Sequence, residues 1–528
     1  MVPAELDDYI APENKARARI DEMLQRAGWV VQDYKSVNLY AGVGVAVREL
    51  VTNAGPADYV LFINRQAVGV IEAKKQGTTL AGVEWQTVKY QSSIPEELQT
   101  HLINGHLPFG YESTGDETWF TCRFDPEPTA RRVFWFHRPE SLDDMVENDR
   151  YHRHGSLRAG VHDIEPLPPK EQTPWLRDAQ HEAITNLETS LQNNRPRALI
   201  QMATGSGKTF AAANIAERLI TQGGAKRILF LVDRGNLGKQ TLKEFHGFDV
   251  PGTGRKFNEL YNVQHLTSNV VDPVSKVCIS TIQRVYSILR GDDTFDEDLD
   301  EHSTFDHEPQ RTVEADYNEH LPIEAFDVII VDECHRSIYG VWRQVLEYFD
   351  ALLIGLTATP GKQTFGFFNQ NLVMEYGFPQ AVADGVNVDF DVFRLSTAIT
   401  EGGSTIEGGQ GYVTSFRNRE TRQERLEAVD EDLTYDQRAL DRKVVSKDQI
   451  RTVVKAFRDN LPAMFPNRDV DDHGRLANIP KTLIFAKDDS HAEDIVRIAR
   501  EEFGKGNDVI AKITYTSSDG NKPEDLLQ

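Results

Sequence analysis

The chain has 528 residues, of which 39% are hydrophobic, and this is enough to build the cores of two to four domains. Its three cysteines (Cys122, Cys278 and Cys334) lack disulfide or metal-ligand spacing, no apolar run reaches about 18 residues and no signal peptide is recognisable, so we expect a cytoplasmic protein without a membrane partner. The formal net charge of -24 argues against strong nonspecific binding of nucleic acid by the chain as a whole.

The first group of chemically suggestive residues lies on a predicted β-hairpin. Residues 55–63 predict a strand that contains Asp58, and residues 67–75 predict the returning strand. Glu72 and Lys74 are two residues apart, so they face the same side of that strand, and the hairpin can bring Asp58 beside Glu72. Two carboxylates can hold Mg²⁺ on a phosphodiester, and a lysine beside them can orient water. An ordinary surface pair of Glu and Lys is the alternative.

Two flanking segments can contribute to this group. Residues 13–24 predict an amphipathic helix, in which Glu13 either completes the acidic group or stabilises the start of the helix. Gln86 and Tyr90 are one helical turn apart and therefore lie on one face. The proline-rich run 165–170 predicts a linker after a first domain.

A phosphate-binding loop follows. Residues 197–200 predict a short strand, 201–210 read Gln-Met-Ala-Thr-Gly-Ser-Gly-Lys-Thr-Phe, and 211–220 predict a helix. Glycines let backbone N–H groups approach phosphate oxygens, and the helix start adds partial positive charge. Lys208 can reach the β- and γ-phosphates, while the Thr209 hydroxyl can hold Mg²⁺. The predicted loop residues are Thr204, Gly205, Ser206, Gly207, Lys208 and Thr209.

Two further predicted strands end in polar side chains. Five of the six residues before Asp332 are apolar, as in a strand buried on both faces. Asp332 suits Mg²⁺ ligation, and Glu333 suits polarisation of an attacking water. Residues 351–360 predict another buried strand, which ends at Thr357 and Thr359. An acidic pair after an apolar run is a weak signal alone, but together with the phosphate loop it predicts a nucleotide hydrolysis site.

Half of the net charge lies in one segment between predicted strands. Residues 291–325 contain thirteen Asp or Glu residues and one Arg, a balance of -12. We interpret this segment as a solvated insertion, so the clefts of the protein need not share its charge.

The order of phosphate loop, Asp-Glu-Cys-His and Thr-Ala-Thr resembles superfamily 2 helicases and translocases. This resemblance implies that Gln180 reads adenine and that His335 belongs to the ATP site. It also implies that Arg234, Ser280 and Thr281 hold nucleic-acid phosphates, and that Thr357 and Thr359 link nucleotide state to the grip on nucleic acid. The alternatives are an exposed helical glutamine for Gln180 and a helix cap for Ser280.

The N-terminal residues resemble the PD-(D/E)xK nucleases, with Asp58, Glu72 and Lys74 in the motif positions and the proline one residue displaced, at Pro56. RecB-like nucleases of this kind carry a Gln/Tyr pair, which Gln86 and Tyr90 match. A RecB-like nuclease ahead of a superfamily 2 motor resembles the restriction subunit of type I restriction-modification enzymes. That resemblance implies ATP and Mg²⁺ as cofactors, double-stranded DNA as substrate, methylation and specificity subunits as partners, and cleavage far from the recognition site after translocation.

We therefore predict an α/β protein with four regions. Residues 1–165 form the PD-(D/E)xK domain, 166–390 the first RecA-like lobe, 391–478 a charged connection with exposed helices over 416–458, and 479–528 the start of a second lobe. In the last region, 481–486 and 507–513 predict strands and 490–499 a helix. The family's arginine finger would lie beyond residue 528, so we expect Mg-ATP binding with poor turnover. The alternative function is a helicase or remodelling ATPase whose first domain binds nucleic acid without cutting it.

Overall fold

The computed structural model describes residues 12–78, 80, 95, 98, 100–292, 295, 300, 315–393, four short strands between 404 and 435, 447–471, 474, 476–506 and 508–513. The chain divides into two compact units, residues 1–389 and 390–528. Gln86 and Tyr90 lie outside the described residues, so their predicted role stays a prediction.

The first unit begins with a helix and a mixed seven-stranded sheet, here called the N-terminal sheet. Its strands lie in chain order; β1 is parallel to β2, β4 is parallel to β5, and the other neighbours are antiparallel. Helix α1 buries Ala16, Ile20, Met23 and Leu24, which recur at spacings of three to four residues and form one apolar face. The elements are α1 (Pro12–Arg26), β1 (Val30–Asp33), β2 (Gly44–Thr52), β3 (Gly55–Ile63), β4 (Gln66–Ala73), β5 (Phe109–Ser113), β6 (Thr118–Cys122), β7 (Arg131–Val133), α2 (Pro139–Arg150) and α3 (Leu157–His162), with a 3₁₀ turn at Tyr34–Ser36.

A second sheet of seven strands follows, here called the central sheet. All its neighbouring strands are parallel, in the order β12-β13-β9-β14-β15-β8-β16. Its elements are α4 (Asp178–Gln192), β8 (Arg197–Met202), α5 (Lys208–Thr221), β9 (Ile228–Val232), α6 (Gly235–Gly247), the hairpin β10 (Asp249–Val250) and β11 (Arg255–Lys256), α7 (Phe257–Leu260), β12 (Val263–His265), β13 (Val277–Thr281), α8 (Ile282–Leu289), β14 (Val328–Val331), α9 (Trp342–Tyr348), β15 (Leu352–Thr357), α10 (Lys362–Phe367), β16 (Leu372–Tyr376) and α11 (Phe378–Ala383), with 3₁₀ turns at Lys170–Gln172 and Cys334–Arg336.

The central sheet confirms the predicted helicase-like α/β fold. Strands such as Val328–Val331 and Ile228–Val232 are continuous apolar runs because helices or other packed layers bury both their faces. Parallel strands place their carboxyl ends at one edge of the sheet. The polar residues that follow β8, β14 and β15 are therefore brought to the same edge.

The N-terminal and central sheets share one hydrophobic core. A single buried cluster contains Tyr59 and Phe120 from the N-terminal sheet together with Ile329 and Leu353 from the central sheet. The opposite face of the central sheet has its own cluster, which includes Ile228, Ile330 and Ile354. The two sheets are therefore packed layers of one unit.

Aromatic stacking and buried ion pairs join the two sheets. Trp135 stacks on Tyr317 with ring centroids 5.0 Å apart and planes 10° apart. Arg131 binds both carboxylate oxygens of Asp350, at 2.8 and 2.9 Å, and His137 Nε2 lies 3.0 Å from Asp350 Oδ2. Burial alone would raise the pKa of Asp350, but Arg131 and His137 outweigh it and hold the pKa well below its usual value.

The second unit contains two packed helices and two strand pairs. Helices α12 (Lys447–Met464) and α13 (Asp489–Phe503) pack through a cluster that includes Ile450, Val454, Ile495 and Ile498. Strand β17 (Ser404–Ile406) pairs antiparallel with β20 (Leu433–Tyr435), and β18 (Val413–Arg417) pairs antiparallel with β19 (Glu424–Ala428). The helix predicted over 490–499 is confirmed by α13.

Three predictions for this unit were wrong in whole or in part. Of the helices predicted over 416–458, α12 confirms the part from Lys447 onward, whereas the described residues between 416 and 435 form short antiparallel strands. Residues 481–486 and 508–513 form no strand, and Leu483 and Phe485 are 62% and 87% exposed. A β-strand needs a neighbour for its backbone hydrogen bonds, and neither segment pairs with a strand among the described residues.

Candidate active sites

The predicted phosphate loop lies between β8 and α5, at the carboxyl edge of the central sheet. Gly205 and Gly207 adopt φ angles of +81° and +84°, which side chains on an L-residue disfavour. A Cβ atom at Gly207 would also lie 2.4 Å from Gln180 Nε2. Gly207 is the N-cap of α5, so the loop delivers Lys208 and Thr209 into the first helical turn, where backbone N–H groups favour an anion.

Gln180 is buried against this loop. Its Nε2 donates to the carbonyl oxygens of Ser206 and Gly207 at 3.2 and 3.1 Å, and its Oε1 accepts from the backbone N–H of Arg177 at 2.9 Å. The alternative of an exposed helical glutamine is wrong, because only 3% of the residue is exposed. The contacts seen are to the loop backbone, and the adenine role remains a prediction.

The two predicted carboxylates after β14 face the loop. Lys208 Nζ lies 2.8 Å from Glu333 Oε1, although 125 residues separate them. Glu333 adopts a left-handed backbone conformation, with φ +47°, and its N–H donates to Asp332 Oδ1 at 3.0 Å. Burial raises the pKa of Asp332, an effect that Lys208 opposes. A cation that bound at this carboxylate would favour its ionised form.

A series of polar contacts leads from Glu333 to the end of β15. His335 Nδ1 lies 3.4 Å from Glu333 Oε2 and 2.9 Å from Thr357 Oγ1. The Thr357 hydroxyl also accepts from the backbone N–H of Thr359 at 3.1 Å. The predicted nucleotide residues and the predicted coupling residues Thr357 and Thr359 are therefore in direct contact through His335.

The other predicted nucleic-acid residues differ in their exposure. Arg234 is the N-cap residue of α6, with a side chain that is 41% exposed. Ser280 and Thr281 are buried; Ser280 Oγ donates to the Thr281 carbonyl, and Thr281 caps α8 by accepting from Arg284 N–H. Thr281 makes the capping contact considered for Ser280, and neither hydroxyl is exposed to nucleic acid in this structure.

The acidic group of the N-terminal sheet lies where β3 and β4 diverge. Tyr59 pairs with Ile71, so Asp58 and Glu72 are the next opposed positions on the two strands. Asp58 Oδ2 accepts from the backbone N–H of Ala73 at 2.9 Å, and Glu72 Oε1 lies 2.8 Å from Lys74 Nζ. The structure thus brings the three predicted residues to one end of the hairpin.

Two further residues belong to this group. Arg17, from α1, donates to Asp58 Oδ1 at 2.5 Å and to Glu49 Oε1 at 2.8 Å. Glu49 lies on β2 between Arg48 and Leu50, which pair with Tyr59 and Ala57, so it is opposite Asp58. Arg17 was not among the residues predicted for this group; the predicted Glu13 side chain lies outside the described residues.

The residues present fit a magnesium ion at either site. In the described part of the chain, no group of three or more His, Cys, Asp or Glu side chains is placed to hold a metal ion. Mg²⁺ does not need such a group, because it keeps several water ligands and is bound by one or two carboxylates together with substrate phosphates. Asp58 with Glu72, and Asp332 with the Thr209 hydroxyl, offer oxygen ligands of this kind.

Helices that could cross a bilayer are not found in the described ranges, since none combines sufficient length with sufficient apolar character.

Family models match both sheets. Residues 174–362 match the model described as the res subunit of type III restriction enzymes. Residues 35–144 match the model of the second domain of the type I restriction enzyme EcoKI endonuclease subunit. The two matched ranges contain the loop residues and the Asp58–Glu72–Lys74 group, respectively.

Individual relatives carry the second of these descriptions, that of type I endonuclease subunits. The EcoKI endonuclease subunit of Escherichia coli K12 is 25% identical over 95% of this chain and 45% of its own length. The EcoAI endonuclease subunit of Escherichia coli is 28% identical over 85% of this chain and 50% of its own length. This chain therefore spans about half the length of the curated relatives it matches.

A solved structure is also similar: a fragment assigned as an HsdR subunit of a type I restriction enzyme from Vibrio vulnificus. It is 19% identical and matches with a TM-score of 0.35 over 94% of this chain and 75% of its own. The type I family model and the curated relatives agree that this chain is similar to the endonuclease subunits of type I restriction enzymes.

Proposed function

We propose that this chain is the motor and nuclease subunit of a type I restriction enzyme, which moves double-stranded DNA at the expense of ATP and cuts it with the help of Mg²⁺. The observation that carries the proposal is the contact between Lys208 and Glu333, which joins the phosphate loop to the acidic strand end. In the same unit, the hairpin that carries Asp58, Glu72 and Lys74 supplies a separate group suited to phosphodiester chemistry.

In the nucleotide site, the loop backbone and Lys208 would bind the phosphates, while Thr209 and Asp332 would supply oxygen ligands to Mg²⁺. Glu333 orients the attacking water, which requires it to leave Lys208 when the nucleotide enters. The contact from Glu333 through His335 to Thr357 then gives the coupling residues a direct route to sense that change. Arg234 and Thr359 complete the proposed nucleic-acid side, with Gln180 at the adenine. Ser280 and Thr281 are proposed for the same side, but their buried hydroxyls would have to become exposed before they could bind a phosphate.

In the nuclease site, Asp58 and Glu72 hold a divalent ion that would polarise the scissile phosphate. The Ala73 N–H fixes the orientation of the Asp58 carboxylate, and Lys74, held by Glu72, orients the attacking water. Gln86 and Tyr90 are proposed to flank this site. The fold of residues 1–165 is proposed to be of the PD-(D/E)xK type.

The remaining assignments follow from the same proposal. Residues 166–390 are the first RecA-like lobe, 391–478 the connection and 479–528 the start of a second lobe. Methylation and specificity subunits are the proposed partners, because the relatives are named as endonuclease subunits of type I enzymes. The net charge of -24 suits a subunit whose DNA target is read by a partner.

The test is an assay of the complex reconstituted with those partner subunits on DNA that carries their unmethylated target. The Glu72→Gln variant should lose DNA cleavage and retain ATP hydrolysis, whereas Lys208→Ala should lose both. Glu22→Gln is the matched control, because Glu22 is 53% exposed and only pairs with Arg19 on α1. Cleavage that persists in Glu72→Gln would favour a helicase or remodelling ATPase with a noncutting first domain.

A further inference from the structure

Asp58, a proposed metal ligand of the nuclease site, is paired with a cation of the chain itself, the Arg17 guanidinium. The Arg17 guanidinium uses Nη2 to contact Asp58 Oδ1 at 2.5 Å and Nη1 to contact Glu49 Oε1 at 2.8 Å. The Asp58 side chain is 15% exposed, whereas those of Arg17 and Glu49 are 37% and 51% exposed. Arg17 therefore covers Asp58 from the more open side of the group.

Both oxygens of Asp58 are engaged in this arrangement. Oδ2 accepts from the Ala73 N–H, a contact that holds the carboxylate in place without adding a full charge. Oδ1 faces Arg17, whose positive charge repels a dication. A guanidinium is charged at every pH of interest, so this repulsion does not depend on pH.

Glu49 provides a place for the guanidinium after it leaves Asp58. It lies opposite Asp58 on the neighbouring strand, where the ladder between Arg48↔Tyr59 and Leu50↔Ala57 is interrupted. Its backbone adopts φ +55°, an uncommon angle for a residue other than glycine. Because Nη1 already binds Glu49, Arg17 can release Asp58 by a small rotation and keep one of its two ion pairs.

We propose that Arg17 is a positioning residue that takes the place of the divalent ion on Asp58, so that metal binds the nuclease site only by displacing it. This inference rests on the proposed nuclease function of Asp58 and Glu72. It assigns the proposed metal site a closed state, in which Asp58 is paired with Arg17, and an open state, in which Arg17 is held by Glu49 alone.

The experiment measures Mn²⁺ affinity by electron paramagnetic resonance on the full chain without nucleotide. The nuclease site is identified as the binding that Glu72→Gln removes. Arg17→Gln should bind Mn²⁺ at that site about tenfold more tightly than the wild type, because a competing ion pair and a repelling charge are both removed. Arg17→Lys should lie between the two, since an ammonium cannot span both carboxylates in the way that the guanidinium fork does.

Arg19→Gln is the matched control, because it removes the same charge from the same helix at a residue that pairs with Glu22 rather than with Asp58. Its Mn²⁺ affinity should equal that of the wild type, and circular dichroism should show all variants folded. If Glu72→Gln removes a Mn²⁺ site but Arg17→Gln leaves its affinity unchanged or weaker, Arg17 is only an anchor for α1 and the inference fails. If Glu72→Gln removes no Mn²⁺, the proposed nuclease site itself fails, and the inference with it.

Discussion

The two candidate active sites neutralise their acidic residues in different ways. In the central sheet, Glu333 is held by Lys208, and the proposed reaction needs both groups. In the N-terminal sheet, Asp58 is held by Arg17, which comes from a helix outside the hairpin. A nucleotide that separates Lys208 from Glu333 gains the lysine as a partner for its phosphates. A metal ion that separates Arg17 from Asp58 gains the carboxylate, but the arginine does not help to bind it. Removal of the cation should therefore weaken ligand binding at the first site and strengthen it at the second.

The two sites also differ in the structural elements that hold their residues. The nucleotide site is built from loops that follow neighbouring strands of a parallel sheet buried on both faces, so its partners share one edge. The N-terminal site is built where a hairpin opens and a helix crosses it. Its geometry therefore depends on how α1 and the N-terminal sheet are held in the unit.

The largest effect is expected where these two regions meet. Asp350→Asn removes the charge that Arg131 and His137 bind, and leaves the Arg131 guanidinium, 17% exposed, with the Asp125 carboxylate at 2.9 Å as its ion-pair partner. We expect the free energy of unfolding of the first unit to fall by about 3 kcal/mol, because a two-point ion pair is lost from a buried network. Urea denaturation followed by tryptophan fluorescence measures the change, and an equal loss in both regions would show that they unfold together.

The control for this variant is Asp144→Asn. Asp144 also joins the two regions, through Lys226 at 2.6 Å, but the two side chains are 65% and 58% exposed. An exposed pair of this kind contributes less than about 1 kcal/mol. If both variants were equally mild, the buried network would not be what holds the regions together.

The pH dependence of the Asp350 effect has a defined sign. The folded-state pKa of Asp350 is depressed, so its contribution is complete above the unfolded-state pKa of about 3.9 and is lost as the pH falls through the lower folded-state value. The difference between wild type and Asp350→Asn should be as large at pH 5 as at pH 7, and should shrink only below about pH 4. Denaturation series at these pH values test this.

The next prediction compares the two cations that hold acidic residues, Lys208 and Arg17. Lys208→Ala should weaken Mg-ATP binding by about 50-fold, because a charge-assisted bond to phosphate is lost and Glu333 is left to repel it. Isothermal titration calorimetry measures this, with Lys243→Ala as a control on the exposed side of α6. Mn²⁺ binding at the N-terminal site should not change. If Lys208→Ala bound Mg-ATP more tightly than the wild type, the expected opposite effects of removing Lys208 and Arg17 on ligand binding would be wrong.

A smaller effect separates two roles of Gln180. Gln180→Ala removes two bonds to the loop backbone and should weaken nucleotide binding by about tenfold. If Gln180 only supports the loop, ATP and GTP affinities fall by the same factor. If it reads adenine, the affinity for ATP falls more than that for GTP, and titration with both nucleotides distinguishes the two outcomes.

The smallest effect concerns the carboxylate of the nucleotide pair. Glu333→Gln frees Lys208 and removes a negative charge from the phosphate site, so Mg-ATP should bind about fivefold more tightly. Hydrolysis should fall at the same time, since the water-orienting carboxylate is lost. A weaker affinity in this variant would mean that the Lys208–Glu333 pair supports the loop rather than competing with the nucleotide.

The sequence predicted which residues come together at the nucleotide site better than it did for the N-terminal site, and the reason is physical. The loop from Thr204 to Thr209 is contiguous, and the parallel sheet brings Asp332 and Thr357 to the same edge wherever they lie in the chain. The contact between His335 and Thr357 needed only that rule together with the register of two adjacent strands.

The partners of Asp58 could not be predicted in the same way. Arg17 is 41 residues away in the chain, and its identity depends on how α1 crosses the hairpin. The ion pairs of Asp350 join elements more than two hundred residues apart, which no local pattern encodes. The strand predicted at 481–486 was wrong because an apolar run specifies a strand only when a neighbouring strand is available to pair with it.

The shared core has a practical consequence for anyone who divides this chain. Cutting at the proline-rich run near residue 165 would expose the stacked rings of Trp135 and Tyr317 and separate the Arg131 guanidinium from Asp350. Each piece would expose apolar surface that is buried in the intact protein, and both would therefore be prone to aggregate. A separately expressed N-terminal fragment that failed to cut DNA would thus say little about its catalytic groups, because its scaffold would already have been lost.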